Sequence, residues 1–477
     1  MNHFKFLKIR WCILSRIFLR LIAISLVLLL SIGSYNGLMI LSSLKSNDQP
    51  IWKALSYESY IAGCWPNFTL LVIGITLIYI FELLYHRTER LQSVLFWVAA
   101  TGFTAIAIFP IGSYDIFGNI AFAHLHAHYG LNPYQFSIAD INNYLSDPYL
   151  KNMWWISHGS PYGPMWTWLS YIVYHAAAGF GLIPLVFCFK FIGLIMHLLI
   201  TLVVYKLAEF ITAGRGSKAA IIYGMNPLAI FEIVASGHND GPAILLLLLF
   251  IYFVIQKRYL VGMVIASLAA TFKLTALIAI PFIIWKIIRD SGQLYALLCM
   301  ISLCLLIFII YQPLWVGADT LSGLLTTTGG YNSNSLPNFI YAISNINLVY
   351  PFRIIALIAF CFWYLYLLLN IRRESCEAMI ISIGLGFLVF YLLGASVVHR
   401  WYYLWPLAVV STIPSSPWTK VIIGQTMLLL PSYALTLAFG ESNLSNACTY
   451  VLTWIPLIIL TILHFKKCLS SMARRAI

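Results

Sequence analysis

The chain has very few charged residues: Asp, Glu, Lys and Arg make up 9% of its 477 residues, against about 25% in typical soluble proteins. Hydrophobic residues account for 61% of the sequence and aromatic residues for 16%. This composition excludes a soluble enzyme, a nucleic-acid reader and a disordered protein. What remains is a polytopic membrane protein, and repeated apolar runs of about 20 residues favour transmembrane helices.

Several motifs are also missing. The nine cysteines form no CxxC pair and no metal-like spacing, and we find neither a Gly-rich nucleotide-binding loop nor an internal repeat. We therefore expect no bound cofactor and assign no metal ligand, while a need for a divalent metal stays open. Cys64 and Cys448 both fall in predicted outer loops, so a disulfide between them also stays open.

The net charge of +13 is distributed as the positive-inside rule requires. Of the 28 Lys and Arg residues, 21 fall on one side of the predicted topology and four on the other, while Lys190, Lys273 and Arg353 are assigned to neither side. The sequence therefore predicts an all-α, polytopic transmembrane helical bundle of about 14 segments with both termini in the cytoplasm. We expect a single membrane domain over residues 1–477, made of a helical hairpin (1–92), a long outer segment (112–182) and further spans (183–477).

Two regions depart from simple spans. The segment 112–182 is rich in Tyr, Trp, His, Asn and Pro, which predicts helices lying in the membrane interface, including one over Trp166–Ala178. The segment between Lys257-Arg258 and Lys286 has basic ends, which should both be inside, and is very short for a hairpin. We predict two short or broken helices with a bend near Lys273, in the outer half of the membrane.

Asp115 is the main catalytic candidate because it directly follows the third predicted span, at the start of an amphipathic helix. Helical periodicity places Asn119 and His126 on the same face. The ordinary alternative is that Asp115 caps the helix, but capping does not need the polar neighbours Tyr114 and His126. His124 and His128 also share a face, and interfacial histidines are the better interpretation than a metal site because no carboxylate has matching spacing.

Other polar groups cluster at the same predicted outer side. They are the turn Ser236–Gly241, the cation Lys273 and the segment His399–Tyr403. A turn needs only Gly and Asn, and Trp and Tyr anchor many membrane interfaces. His158, before a Gly/Pro-rich stretch, is a further candidate for lining a site. The predicted substrate-binding residues are Tyr114, Asn119, His126, His238, Asn239, Asp240, Lys273, His399, Arg400 and Tyr402.

This inventory suits sugar transfer from a lipid-linked phosphate. Single displacement needs a general base for the acceptor hydroxyl, a role for Asp115. It also needs cations or donors for the departing phosphate, a role for Lys273 and Arg400 together with His238.

The same residues resemble a known family. Ser113-Tyr114-Asp115, Tyr129–Tyr134 and Ser160–Pro164 resemble the first outer loop of GT-C glycosyltransferases. Asn226-Pro227, Gly237–Asp240, Ala270–Lys273 and Trp401–Pro406 resemble bacterial polyprenol-phosphate-mannose-dependent α-mannosyltransferases.

The resemblance implies a GT-C bundle in the bacterial plasma membrane, an active site facing outside and Asp115 as catalytic Asp. It implies a polyprenyl-phosphate sugar donor, most often mannose, and inverting transfer to a glycan or lipid acceptor. Members of the family often carry a second acid in the first loop, and here Asp140 and Asp147 are distant in sequence from Asp115.

Two other functions are considered. A transporter or flippase of lipid-linked saccharides should place ionisable residues near mid-membrane on several helices, whereas here the inner halves of the spans are almost purely apolar, with Glu209 and Glu232 as the main exceptions. A polymerase or ligase of lipid-linked glycans should have a large, Arg-rich outer loop. The glycosyltransferase that uses a lipid-linked sugar is therefore the favoured prediction.

Overall fold

The computed structural model describes residues 14–32, 58–85, 88–108, 110, 113–327, 339–340, 344, 349–371, 375–395, 397–439, 447–459 and 462. All regular structure in these ranges is helical. The predicted continuation of the first span to Ile40 and the side chain of Cys64 lie outside the described part of the chain.

The N-terminal helices run up to the polar turn predicted at residue 236. They are α1 (Leu14–Ile32), α2 (Glu58–Leu84), α3 (Leu91–Ile106), α4 (Asp115–Tyr129), α5 (Pro164–Ala177), α6 (Leu182–Ile211), α7 (Gly216–Gly224) and α8 (Pro227–Ala235).

The remaining helices follow that turn. They are α9 (Asp240–Ile255), α10 (Tyr259–Phe272), α11 (Ile280–Ser291), α12 (Gln293–Tyr311), α13 (Ser322–Thr327), α14 (Val349–Leu369), α15 (Cys376–Val389), α16 (Leu404–Ser411), α17 (Pro417–Leu429), α18 (Ser432–Phe439) and α19 (Ala447–Ile459).

Five described helices are long and apolar enough to cross a membrane: α1, α6, α12, α14 and the helix that begins with α15. On α12 the side chains of Leu297, Ile301, Leu305 and Phe308 share one stripe and are each more than half exposed. An exposed apolar stripe at helical spacing is what a lipid-facing helix presents. The chain is therefore a helical membrane protein.

Among the spans that the sequence predicts after residue 183, one covers residues 219–235 and is bent by 53° between α7 and α8. Proline at position 227 lacks the N–H that a continuous helix needs, and the Asn226 side chain accepts a bond from the Ala229 N–H and caps a new helix. The second half continues as a π-helix over Ile230–Ala235. The segment is therefore a pair of helices joined at a bend, and the second helix leads into the polar turn.

The predicted break near Lys273 is confirmed. α10 ends at Phe272, Lys273 takes an extended conformation (φ −154°, ψ 118°), a 3-10 turn covers Leu274–Ala279 and α11 follows. α6 organises the surrounding bundle because it packs against α3, α7, α8 and α9. This packing brings the polar turn after α8 against the start of α4.

A buried ionic cluster lies at the other end of α3. The guanidinium of Arg20 on α1 contacts Glu82 and Glu89 at 2.7 Å each, and Arg16 contacts Glu89 at 2.9 Å. Glu82 is on α2 and Glu89 precedes α3. The cluster fixes α1 and α2 at the end of α3 opposite Asp115.

Candidate functional site

Asp115 is the first residue of α4 and lines a cavity of about 850 Å³. Tyr114 is the N-cap residue, no side chain caps this helix, and the N–H of Asp115 donates to Ser113 Oγ at 3.2 Å. The Asp115 side chain therefore does not cap α4. Its carboxylate lies instead at the positive end of the α4 dipole, which favours an anion.

His238 lies between two carboxylates. Its Nδ1 is 3.5 Å from Asp115 Oδ2, and its Nε2 is 3.1 Å from Glu232 Oε2. The side chains of His238 and Glu232 are completely buried, whereas that of Asp115 is 13% exposed. Of this trio only Asp115 reaches the cavity.

The charges of the trio follow from these contacts. Burial would lower the pKa of His238, but Asp115 and Glu232 outweigh it and raise that pKa to about 9. Burial would raise the pKa of Asp115, but the His238 contact, with smaller contributions from His399 and Ser113, leaves that pKa below its ordinary value. At neutral pH the site therefore holds an imidazolium beside an ionised aspartate.

The turn that carries His238 depends on Gly237. Its φ of +68° is in the left-handed region, and a Cβ there would lie 2.9 Å from Ile116 Cδ1. Glycine adopts this conformation without steric cost. It lets the turn approach the first turn of α4 closely enough for His238 to meet Asp115.

An aromatic stack supports the imidazolium. Trp401 lies between the rings of His238 and His399, with centroid distances of 3.9 and 4.3 Å. A protonated imidazole on an indole face gains cation–π attraction. Burial, reinforced by neighbouring cations against the attraction of Asp115, lowers the pKa of His399 to about 4. The stack therefore pairs a charged histidine with a neutral one.

Lys273 supplies a cation to the same cavity. Its Nζ is 2.8 Å from Asp240 Oδ1 and lies 4.7 Å from the ring centroid of Tyr402. Trp405 Nε1 donates to the same carboxylate oxygen at 2.6 Å. Asp240 is fully buried and Lys273 is 20% exposed, so the ammonium is held by a buried carboxylate while it faces the cavity.

The cavity wall also carries aromatic side chains from the segment before α5. Trp154 is 48% exposed and stacks on Tyr114, with centroids 6.0 Å apart and ring planes 15° apart. The predicted site residues that line the cavity are Asp115, His158, Asn239, Lys273, His399 and Tyr402. Lys273 is the one Lys or Arg of this lining within the described ranges.

Three predicted substrate ligands lie elsewhere, and none of them lines the described cavity. Asn119 is buried and accepts a bond from Trp166 Nε1 at 2.9 Å. His126 lies near the far end of α4, its Nδ1 3.1 Å from the Leu131 carbonyl. Arg400 donates to Ser432 Oγ at 2.8 Å and stacks 4.0 Å above the Tyr433 ring.

The positions of these three side chains have physical reasons. The shared helix face extends farther along α4 than the cavity does, so Asn119 and His126 are used for packing. The guanidinium of Arg400 is held by residues at the start of α18. Tyr114, His238 and Asp240 also lie outside the lining and instead contact residues that do line it.

His124 connects α4 to α5 and to the loop between them through its two ring nitrogens. Its Nδ1 is 2.5 Å from Tyr174 Oη and its Nε2 2.9 Å from Asp147 Oδ2. The His124 contact and two backbone N–H groups oppose the effect of burial and lower the pKa of Asp147 to about 2. Among the described residues, no group of three or more His, Cys, Asp or Glu side chains has metal-binding geometry. Asp140 bonds Ser137 locally, so neither loop acid joins Asp115.

Glu232 is a contact of His238 that the sequence analysis did not place near the site. The sequence analysis assigned Glu232 to the apolar inner half of a span. In the structure its backbone carbonyl accepts a hydrogen bond from the backbone N–H of His238 at 3.1 Å, so Glu232 lies next to the polar turn. The available signal was an acidic residue six positions before a histidine in a polar turn. Trp154 was not singled out either, because a tryptophan in an interfacial segment ordinarily indicates membrane anchoring.

Comparison with known proteins identifies the family of the chain. The profile of the α-(1→6)-mannopyranosyltransferase N-terminal domain matches residues 22–289, and that of the MptB C-terminal domain matches residues 333–461. The chain is 25% identical over 326 residues to α-(1→6)-mannopyranosyltransferase A of Mycobacterium tuberculosis, covering 64% of this chain and 62% of that protein.

A second relative is α-(1→6)-mannopyranosyltransferase A of Corynebacterium glutamicum, 24% identical over 28% of this chain and 26% of that protein. The chain thus matches less than two thirds of the length of either relative. The N-terminal profile alone, however, spans more than half of the 477 residues. The chain therefore belongs to the α-(1→6)-mannopyranosyltransferase family.

Proposed function

We propose that this protein is an inverting mannosyltransferase that moves mannose from a polyprenyl-phosphate donor to a hydroxyl of a glycan or lipid acceptor. The observation that carries the proposal is the single cavity lined by both the ionised Asp115 and the ammonium of Lys273. One group suits proton removal and the other suits a departing phosphate. Membership of a mannopyranosyltransferase family supports mannose as the sugar.

In the proposed reaction, Asp115 accepts the proton of the acceptor hydroxyl. The acceptor oxygen forms a bond to C1 of mannose. The bond from C1 to the phosphate oxygen breaks, and its electron pair leaves with the phosphate. Lys273 stabilises the negative charge on that phosphate. Attack and departure on opposite faces of C1 invert its configuration.

The acceptor is proposed to lie against Trp154. The face of a pyranose carries C–H groups, and an exposed indole beside Asp115 offers an apolar surface on which such a face packs. Tyr114, stacked on Trp154 and adjacent in sequence to Asp115, fixes the position of that surface relative to the base.

The membrane arrangement is also a proposal. The ionic cluster of α1 and α2 lies at the opposite end of α3 from Asp115, and 21 of 28 Lys and Arg fall on the predicted inner side. We place the cavity on the outer face of the bacterial plasma membrane and both termini in the cytoplasm. The bundle is taken to have about 14 segments, with the hairpin 1–92 preceding the outer segment 112–182.

The test uses purified protein in liposomes that contain polyprenyl-phosphate-[14C]mannose and a mannan-type acceptor. A transferase forms mannosylated acceptor and consumes the phosphate-linked mannose. A flippase would move the intact donor to the other leaflet and form no product. Intact donor recovered with every acceptor and donor sugar tried would contradict the proposal.

A further inference from the structure

Glu232 has no direct route to a substrate, yet it is a buried acid in an otherwise apolar helix. Its carboxylate is fully buried and lies in the π-helical part of α8. Ionisable groups inside membrane helices are costly and mark function by default, and π-helical turns are frequent at functional sites. The contacts of Glu232 indicate which role it has.

The two carboxylate oxygens of Glu232 have different neighbours. Oε1 accepts a bond from Tyr433 Oη at 2.6 Å, and Oε2 lies 3.1 Å from His238 Nε2. The guanidinium carbon of Arg400 lies 4.0 Å from the centroid of the same Tyr433 ring. The carboxylate is thus held in place on one side and presents its charge to His238 on the other.

His238 lies between the Glu232 carboxylate and Asp115, which lines the cavity. Its side chain is fully buried, and its polar contact with the reaction site is with Asp115, whose Oδ2 is 3.5 Å from Nδ1. We propose that Glu232 is a positioning residue that acts through His238 to hold the Asp115 carboxylate in one orientation toward the cavity. This role rests on the proposed function of Asp115 as the base.

An anion on the far side of an imidazole favours the protonated ring. A charge-assisted contact from that ring to Asp115 is stronger and more directional than a neutral one. Without Glu232, the ring loses its proton at lower pH and Asp115 keeps a weaker, neutral partner. Misplacement of a base by a small distance costs about 10- to 100-fold in rate.

The charged and titratable groups around His238 come from each neighbouring element. Asp115 faces it from α4, Glu232 from α8, and His399 from beyond Trp401. Lys190 on α6 lies beside Gly237, and its Nζ donates to the backbone carbonyls of Ile106 and Ile108. Asp115 and Glu232 are therefore the two groups of this set that contact the ring nitrogens.

The experiment measures the protonation of His238 directly. Protein labelled with [15N]histidine is titrated in lipid bilayers from pH 5 to pH 10 by solid-state NMR, and the His238 signal is identified by its loss in His238→Gln. In the wild type we expect the ring to stay doubly protonated through pH 8. In Glu232→Gln the midpoint should fall by at least one pH unit.

Two further variants separate charge from packing. Tyr433→Phe removes the hydrogen bond from Tyr433 Oη to Glu232 Oε1 but keeps the charge of Glu232, so the His238 midpoint should stay or rise. Glu209→Gln makes the same acid-to-amide change at the C-terminal end of α6, where the carboxylate accepts from Gly214 and Gly216, and should leave the midpoint unchanged. A fall in all three variants would mean general loosening and would overturn the proposal.

The pH profile of mannosyl transfer is then measured for the same proteins. Glu232→Gln should lower kcat about 10- to 100-fold with little change in KM, and its alkaline limb should move to lower pH together with the His238 midpoint. If the wild type transfers mannose and Glu232→Gln keeps both midpoint and profile, the positioning role is wrong. If the midpoint moves but no protein transfers mannose, the proposed function fails while the coupling of Glu232 to His238 stands.

Discussion

Asp115 Oδ2 lies 3.5 Å from His238 Nδ1, where the first turn of α4 meets the polar turn after α8. This contact joins the two parts of the chain that supply the proposed base and its partner. It also sets the pH range in which Asp115 is ionised.

Replacing His238 by Gln should move the acid limb of the activity profile upward. Burial raises the pKa of Asp115, and the contact with His238 opposes that effect. Without the imidazolium, the pKa of Asp115 should rise above its ordinary value of 3.8. The variant should therefore lose activity at a higher pH than the wild type does as the solution is acidified. The measurement is kcat/KM against pH for both proteins.

The same group affects stability with a defined sign. The pKa of His238 is raised from 6.5 to about 9 on folding. Its bound proton therefore stabilises the folded state fully below pH 6.5, and this contribution disappears as the pH rises through 9. Thermal unfolding of His238→Gln should consequently depend less on pH between 6.5 and 9 than that of the wild type. Equal pH dependence would contradict the assignment.

Replacing Lys273 by Met should lower kcat about 100-fold or more, because the departing phosphate loses its cation. It also leaves the buried Asp240 carboxylate without its ammonium, which should cost about 1–3 kcal/mol of stability. The double variant Asp240→Asn/Lys273→Met should recover most of that stability but none of the activity. Recovery of activity in the double variant would exclude a role for Lys273 on the phosphate.

Replacing Trp154 by Ala should raise KM for the acceptor about five-fold, since an aromatic face contributes about 1 kcal/mol. The KM for the donor should stay within about two-fold, because Trp154 is proposed to contact the acceptor and not the donor. Trp154→Phe keeps an aromatic face and should recover most of the acceptor affinity. A loss of membrane insertion without a change in either KM would instead assign Trp154 to interface anchoring.

Gly237→Ala and Gly130→Ala form a matched pair. Both glycines have φ of +68°, but a Cβ at Gly237 meets Ile116 at 2.9 Å whereas a Cβ at Gly130 has open space. Each substitution should cost about 1–2 kcal/mol for the left-handed backbone. Only Gly237→Ala should also reduce transfer, because it pushes the His238 turn away from α4. Equal activity in the two variants would contradict this contact.

The sequence allowed the local features of the fold to be predicted. Asp115 at a helix start and the helix break at Lys273 are confirmed, because a charge within an apolar run is a local signal. The bend at Asn226-Pro227 was missed because the apolar run continues through it.

Contacts between distant segments could not be predicted in this way. The pairs Asp115–His238 and Asp240–Lys273 form only when α4, α8, α9 and α10 pack together. Helical periodicity gave the face that Asn119 and His126 share but could not give the extent of the cavity along it. Glu232 looked like an isolated acid because its partners, His238 and Tyr433, depend on tertiary packing.

The most direct test compares Asp115→Asn with Asp140→Asn in mannosyl transfer from radiolabelled polyprenyl-phosphate-mannose, at matched expression. Asp140 lies in the same outer segment, is exposed and bonds only locally to Ser137 among the described contacts. The Asp115 variant should lose about 100- to 10,000-fold in kcat, as expected for removal of a general base, and the Asp140 variant should match the wild type. Wild-type transfer by Asp115→Asn would contradict the account.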